Sequence, residues 1–185
     1  MNLTPFLALA GIATAFAPQP QQHSLVKVAS NWRATLAQRL PLLGHRNWLC
    51  VVDSAYPWQT SPGVELVDTR EDHVKVLKAV FAALAAAKHV RPGVYLDKEL
   101  QFVPETDAQG VEALRTAIAS ALPKQGVQRV PHEQIIAKLD KAGSTFHVLM
   151  LKTTCAIPYT SVFFELGCAY WSDEAESRLR KKMGG

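Results

Sequence analysis

The chain reads as a single-domain α/β protein with a mostly parallel sheet flanked by helices, and three observations carry that reading. Two short apolar runs, Trp48–Val52 and Phe146–Leu151, have the length and bounding residues of buried strands. Other segments place apolar residues at helical spacing, and strands alternate with these helices along the chain. At 185 residues the chain suits one domain with a substantial core.

Taken in order, residues 25–43 place Val28, Trp32, Leu36, Leu40 and Leu43 at near-helical spacing. This predicts a helix ending near Arg39, with Pro41 marking its exit. A Gly44-His45-Arg46-Asn47 turn follows, then the strand Trp48–Val52 and a second strand over Val64–Val67. Thr69 is the predicted N-cap of a helix running to about Lys88, with Asp72 in its first turn. Its apolar face is Val74, Leu77, Phe81 and Leu84. Pro92-Gly93 is read as the end of the next connection and Val94–Asp97 as a strand. Asp107 is the predicted cap of a helix with the apolar face Val111, Leu114, Ile118 and Leu122. Pro131 fits the first turn of a helix running through Ala142 and closed by Gly143. Phe146–Leu151 is then a strand, Pro158 a turn, and Val162–Phe164 a last apolar stretch before the domain ends near Trp171. The organisation predicted is an N-terminal segment 1–24, a domain over 25–172 and a charged, solvated tail over 173–185.

Composition narrows the function classes. Hydrophobic residues make up 48% of the chain, as in soluble globular proteins. The net charge of +4 is not gathered into a basic stripe with interleaved aromatics, which argues against nucleic acid as a partner. Cys50, Cys155 and Cys168 have no C-x-x-C spacing and read as free thiols, and no His/Cys cluster has zinc spacing. Phe6–Ala17 is apolar but too short to span a bilayer. Ala15-Phe16-Ala17 resembles a signal-peptidase site, yet no Lys or Arg precedes the run and Pro18 follows it. Two readings stand for residues 1–24: a cleaved secretory leader, or a disordered or helical extension.

Motifs exclude several chemistries. The chain has no G-x-G-x-x-G, no G-x-x-x-x-G-K-[ST], no G-x-S-x-G and no H-E-x-x-H. What remains is dispersed: His45, Asp53, His132, Lys152 and Tyr159. Asp53 and Lys152 stand at the carboxyl ends of predicted strands, where ligands bind in open α/β sheets. His132 starts a helix, where the dipole favours the neutral imidazole, the form that acts as a base near pH 7. Each has a plainer reading beside this one. Asp53 suits a turn cap, His45 a solvated loop, Lys152 a solvated strand end, Tyr159 a packing aromatic and His132 a surface helix position.

The segments Gly44-His45 to Asp53-Ser54-Ala55-Tyr56-Pro57, Pro131-His132-Glu133-Gln134 and Ile157-Pro158-Tyr159-Thr160-Ser161 occur in an order that resembles the D-ribose pyranase / L-fucose mutarotase family (RbsD/FucU-like). The resemblance covers about Leu36 to Cys168. It implies an α/β sandwich, assembly into a homo-oligomeric ring with sites at subunit contacts, and interconversion of anomers or ring forms of a free sugar without a cofactor or metal. It also implies a cytoplasmic protein, whereas a cleaved leader would imply export. By the resemblance, His45, His132 and Tyr159 are catalytic and Asp53 holds sugar hydroxyls. Lys152 and Ser161 are further candidates for binding, and Tyr56 and Trp58 for stacking on a pyranose face. Ser161 stands where the family has Asn, which predicts a larger or water-filled pocket there and a preference for a sugar other than ribose or fucose. The stretch between Pro57 and Pro131 departs from the family, and Asp97-Lys98-Glu99 has no counterpart in it. Two alternatives stay open: a monosaccharide-binding protein without turnover, and an assembly protein in which these residues are structural.

Overall fold

Residues 31–184 are described in a computed structural model. The readings made for residues 1–24, and the start of the helix predicted from residue 25, lie outside the described residues. The elements are α1 (Trp32–Arg39), a 3-10 turn at Leu40–Leu42, β1 (Trp48–Val52), β2 (Val64–Asp68), α2 (His73–Ala86) and β3 (Val90–Asp97). A second 3-10 turn at Lys98–Phe102 follows, then α3 (Val111–Ala121), β4 (Val127–Val130), α4 (His132–Gly143), β5 (Val148–Lys152), β6 (Val162–Cys168) and α5 (Asp173–Lys182).

One sheet runs in the order β2-β5-β1-β6-β3-β4. Pairs β2–β5, β1–β5 and β3–β4 are parallel, while β6 lies antiparallel between β1 and β3. Five strands therefore share a direction and β6 opposes them. Period-2 alternation sorts the buried side chains onto two faces. Leu49, Val51, Leu149, Leu151 and Phe164 pack with Trp32, Leu36, Leu77, Val80 and Ile118 of α1, α2 and α3. Trp48, Cys50, Val52, Met150 and Phe163 pack with Ile135 and Leu139 of α4. Among the described residues, no helix is long and apolar enough to cross a membrane.

Several local expectations are corrected. Asp72, not Thr69, caps α2: its side chain accepts from the Lys75 N–H at 2.9 Å. The Thr69 hydroxyl is held elsewhere, donating to the Lys152 carbonyl at 2.8 Å. Pro92-Gly93 lies inside β3 rather than ending a connection, because Pro92 pairs with Leu166 of β6. The β4 partner of β3 begins only at Val94, so Pro92 sits where one side of the strand has no ladder to break. Gly110, in the left-handed region at φ +89°, precedes α3 in place of Asp107. The Glu105 carboxylate accepts the N–H groups of Gly110 and Glu112 there, as a cap would. Residues 173–182 of the charged, solvated tail are helical, forming α5, which is capped by Ser172 and has no buried side chain. Strand β4 was not expected: Val-Gln-Arg-Val is short and largely exposed.

Candidate functional site

The carboxyl ends of the five co-directional strands, together with the start of β6, form one edge of the sheet. The chain concentrates its buried polar groups there. Among the described residues, the buried polar or charged side chains are Thr69, His73, Asp97, Thr153, Thr160 and Ser161. Each follows or ends a strand at this edge or, for Thr160 and Ser161, precedes β6. Buried polar groups are costly unless bonded, and this edge bonds nearly all of them, which makes it the candidate site.

Asp97, at the end of β3, is 1% exposed, and its Oδ1 lies 3.1 Å from Nδ1 of His132. The His132 backbone N–H, free at the first position of α4, donates to both carboxylate oxygens of Glu99 at 3.0 and 3.1 Å. Two acids thus hold His132, one at its ring and one at its backbone. Burial pushes the Asp97 carboxyl up to about 6, and the His132 ring beside it works against that rise. Above that pH the carboxylate accepts the Nδ1–H, which leaves Nε2 as the basic nitrogen. The Tyr159 ring stands edge-on to His132 at 5.6 Å between centroids. Tyr159 has φ +60°, a left-handed conformation that a side-chain-bearing residue adopts at a cost and that clusters at functional positions. The second Asp97 oxygen and the Tyr56 hydroxyl are buried without a hydrogen-bond partner.

Next along the edge, Asp53 is tied to its neighbours. Its Oδ1 accepts the Ala55 N–H at 2.9 Å, the turn role expected of Asp-Ser chemistry. Its Oδ2 accepts the Ser161 hydroxyl at 3.0 Å, and the Ser161 Oγ accepts the Asp53 N–H at 3.3 Å. Ser161 is 1% exposed, so the larger or water-filled space expected at that position is absent; the hydroxyl is enclosed against Asp53. Lys152 donates from Nζ to the Tyr56 carbonyl at 2.8 Å. Tyr56 is 3% exposed and packs in the α4-side core, so it presents no ring face for stacking, whereas Trp58 is 56% exposed.

Behind this row lies His73, 1% exposed, with Nδ1 3.0 Å from the Thr153 hydroxyl. That hydroxyl donates to the Val52 carbonyl at 2.9 Å. Thr153 therefore accepts from His73, which places the ring proton on Nδ1. Burial pulls the His73 imidazole down to about 4, opposed by the Asp53 charge and the Thr160 backbone.

The structure thus brings Asp53, Ser161, Lys152, His132 and Tyr159 to one edge. It does not bring His45 there in the same chain. His45 precedes β1 and Asp53 follows it, so they stand at opposite ends of a five-residue strand, roughly 16 Å apart at about 3.3 Å per residue. Around His45 the opposite edge is concave and carries charges of both signs, with Glu165 lining both of its hollows. A hollow of about 610 Å³ brings Arg46, Lys138 and Lys141 beside His45, and one of about 320 Å³ brings Arg91, Glu165 and Asp173. Sequence reasoning missed Asp97 and His73 as site residues. Asp97 carried the same signal as Asp53, an acid closing an apolar strand. His73 carried none, since a histidine among Val74, Val76 and Leu77 looks like any helix residue.

Among the described residues, no group of three or more His, Cys, Asp or Glu is placed to hold a metal ion. No protein-family model matches the chain, and no curated protein matches it. Among solved structures it is similar to Bacillus subtilis RbsD complexed with D-ribose, at 18% identity and TM-score 0.49, over 77% of this chain and 95% of that one. It is also similar to FucU from Bifidobacterium longum, at 13% identity and TM-score 0.49, over 72% of this chain and 94% of that one. A third is the fucose mutarotase in complex with L-fucose from Streptococcus pneumoniae, at 13% identity and TM-score 0.49, over 76% of this chain and 93% of that one.

Proposed function

We propose that the protein is a cofactor-independent monosaccharide mutarotase or pyranase, which interconverts anomers or ring forms of a free sugar by His-mediated proton transfer. The observation that carries the reading is the Asp97–His132 pair beside Tyr159, at the strand edge where open α/β sheets bind ligands. Ring opening requires a base to take the anomeric hydroxyl proton and an acid to protonate the ring oxygen as the C1–O bond breaks. The carbonyl then rotates, and closure runs the same steps in reverse. Asp97 orients His132 so that Nε2 takes the first proton. The Asp53 carboxylate, already accepting two hydrogen bonds, retains lone pairs for sugar hydroxyls. His45 supplies the second proton-transfer group from a neighbouring copy, since one chain holds it at the far edge. Arg46, Lys138 and Lys141 beside His45 in one copy suit the acid-bearing edge of the next, and head-to-tail contact of this kind forms a ring where its rotation closes.

Saturation-transfer NMR across a panel of free aldoses tests the reading. Exchange catalysed by the wild type and lost in a folded His132→Ala variant is the expected result. Sugar binding without exchange would select a monosaccharide-binding protein instead, and neither binding nor exchange across the panel would overturn both.

A further inference from the structure

We propose that the groove between α3 and the outermost strand β4 is a second ligand site, for a phosphate monoester of sugar-like size. The groove holds about 540 Å³, within the range of about 300–1,000 Å³ typical of small-molecule sites. Its floor is apolar, from Leu96, Leu100 and Ile118. Its polar wall is made by three cations, Arg115, Lys124 and Arg129.

The state of each charge points to an anion. Arg115 is fixed by donating to the Leu100 carbonyl at 3.1 Å and the Val103 carbonyl at 2.7 Å, which leaves part of its five-donor fork unused. The side chains of Lys124 and Arg129 make no hydrogen bond or ion pair among the described residues. The acids nearby are held by other groups, apart from the buried Oδ2 of Asp97, which has no hydrogen-bond partner. Asp97 lines the groove but its Oδ1 is on the His132 ring, and Glu105 accepts the Gly110 and Glu112 N–H groups. The hydroxyls of Thr116 and Ser120 already donate to carbonyls within α3, so they offer a ligand no proton. The donors left to a ligand are therefore the three cations and the Gln101 amide, and the cations dominate. They match the dianionic, multi-acceptor phosphate better than an uncharged polyol, while the apolar floor suits a compact organic body.

The groove also touches the sugar-site machinery from behind. Leu100 and Gln101, which line it, belong to the same 3-10 turn whose Glu99 carboxylate holds the His132 N–H. A ligand there presses on the turn that positions His132. The binding claim itself does not rest on the proposed sugar chemistry.

Calorimetry and thermal melting of the full chain with inorganic phosphate, glucose 6-phosphate and glucose test the site. The expected result is saturable binding of glucose 6-phosphate, weaker binding of inorganic phosphate and none of glucose through this groove. The Lys124→Ser/Arg129→Ser double variant should lose at least about tenfold in affinity for the sugar phosphate, as removal of charge-assisted hydrogen bonds predicts. Lys181→Ser/Lys182→Ser on α5, which removes the same charge elsewhere, should leave that affinity unchanged. Absence of binding at millimolar ligand, or equal losses in the two double variants, would overturn the site. Equal affinity for inorganic phosphate and glucose 6-phosphate would overturn the sugar-sized ligand.

Discussion

At the scale of single residues, the acid–base character of the edge comes from burial acting in opposite senses on two groups. Asp97 has a folded value of about 6, above its ordinary 3.8, so the stability it contributes is present at low pH and is lost as pH rises through 6. His73 has a folded value of about 4, below its ordinary 6.5, so its contribution is present above 6.5 and is lost as pH falls toward 4. The two trends oppose each other over the same window. Asp97→Asn should therefore steepen the acid-side fall in melting temperature between pH 6.5 and 4, and His73→Gln should flatten or reverse it. Melting curves across that range check the prediction, and parallel profiles in wild type and both variants would refute it. Activity adds a second test. Exchange should fall below about pH 6, as Asp97 takes up its proton and releases its hold on the imidazole. His132→Ala should lower exchange by about 10²-fold or more, the usual contribution of a general acid–base group, in a variant that still folds but melts lower at neutral pH because Asp97 loses its partner. Full-rate exchange in the folded variant would falsify the role assigned to His132.

At the scale of elements, one close approach fixes how α4 meets the sheet. The Gly63 N–H donates to the Gly143 carbonyl at 2.9 Å, and the Val148 N–H donates to the Gly63 carbonyl at 2.9 Å. A Cβ on Gly63 would meet the Gly143 carbonyl oxygen at 2.6 Å and the Phe146 carbonyl closer still. These are backbone atoms that cannot turn aside. Gly63→Ala should thus destabilise the protein by about 1–3 kcal/mol, as overpacking does, measured by denaturant unfolding; an unchanged midpoint would show that the β2–α4 junction yields. The elements most legible beforehand were the apolar runs of β1 and β5 and the helices α2 and α3, read from apolar spacing, while α4 was read from Pro131 and Gly143 at its ends. The cap of α2 and the span of β3 were misread because long-range bonds decide them. Thr69 is drawn to Lys152 and Pro92 is carried along by β6. Strand β4 was illegible because an exposed four-residue edge has no apolar pattern to read.

At the scale of the molecule, the separation of His45 from Asp97, Asp53 and His132 turns assembly into a catalytic question. If a neighbour supplies His45, mixed oligomers of two inactive variants contain some intact sites. Co-refolding His45→Ala with His132→Ala at equal amounts should then restore about a quarter of wild-type exchange, the random frequency of a site with both groups intact in a head-to-tail ring. No recovery in demonstrably mixed oligomers would place His45 outside the site. Light scattering should show an oligomer at micromolar protein, and a monomer would remove the shared-site geometry altogether.

The sequence by itself determined the alternation of strands and helices, the two central buried strands, and the placement of Asp53 and Lys152 at strand carboxyl ends. These follow from apolar periodicity and residue type, which are local properties. Tertiary structure decided the rest. Only the strand order brings Asp97 of β3, His132 after β4 and Ser161 before β6 to one edge with Asp53, because these residues are far apart in the chain and meet only through the sheet. Burial, likewise, has no signature in a single residue. The same enclosure that makes Asp97 a near-neutral acid and His73 a neutral base also closes Ser161 against Asp53, and it exists only once the core has formed.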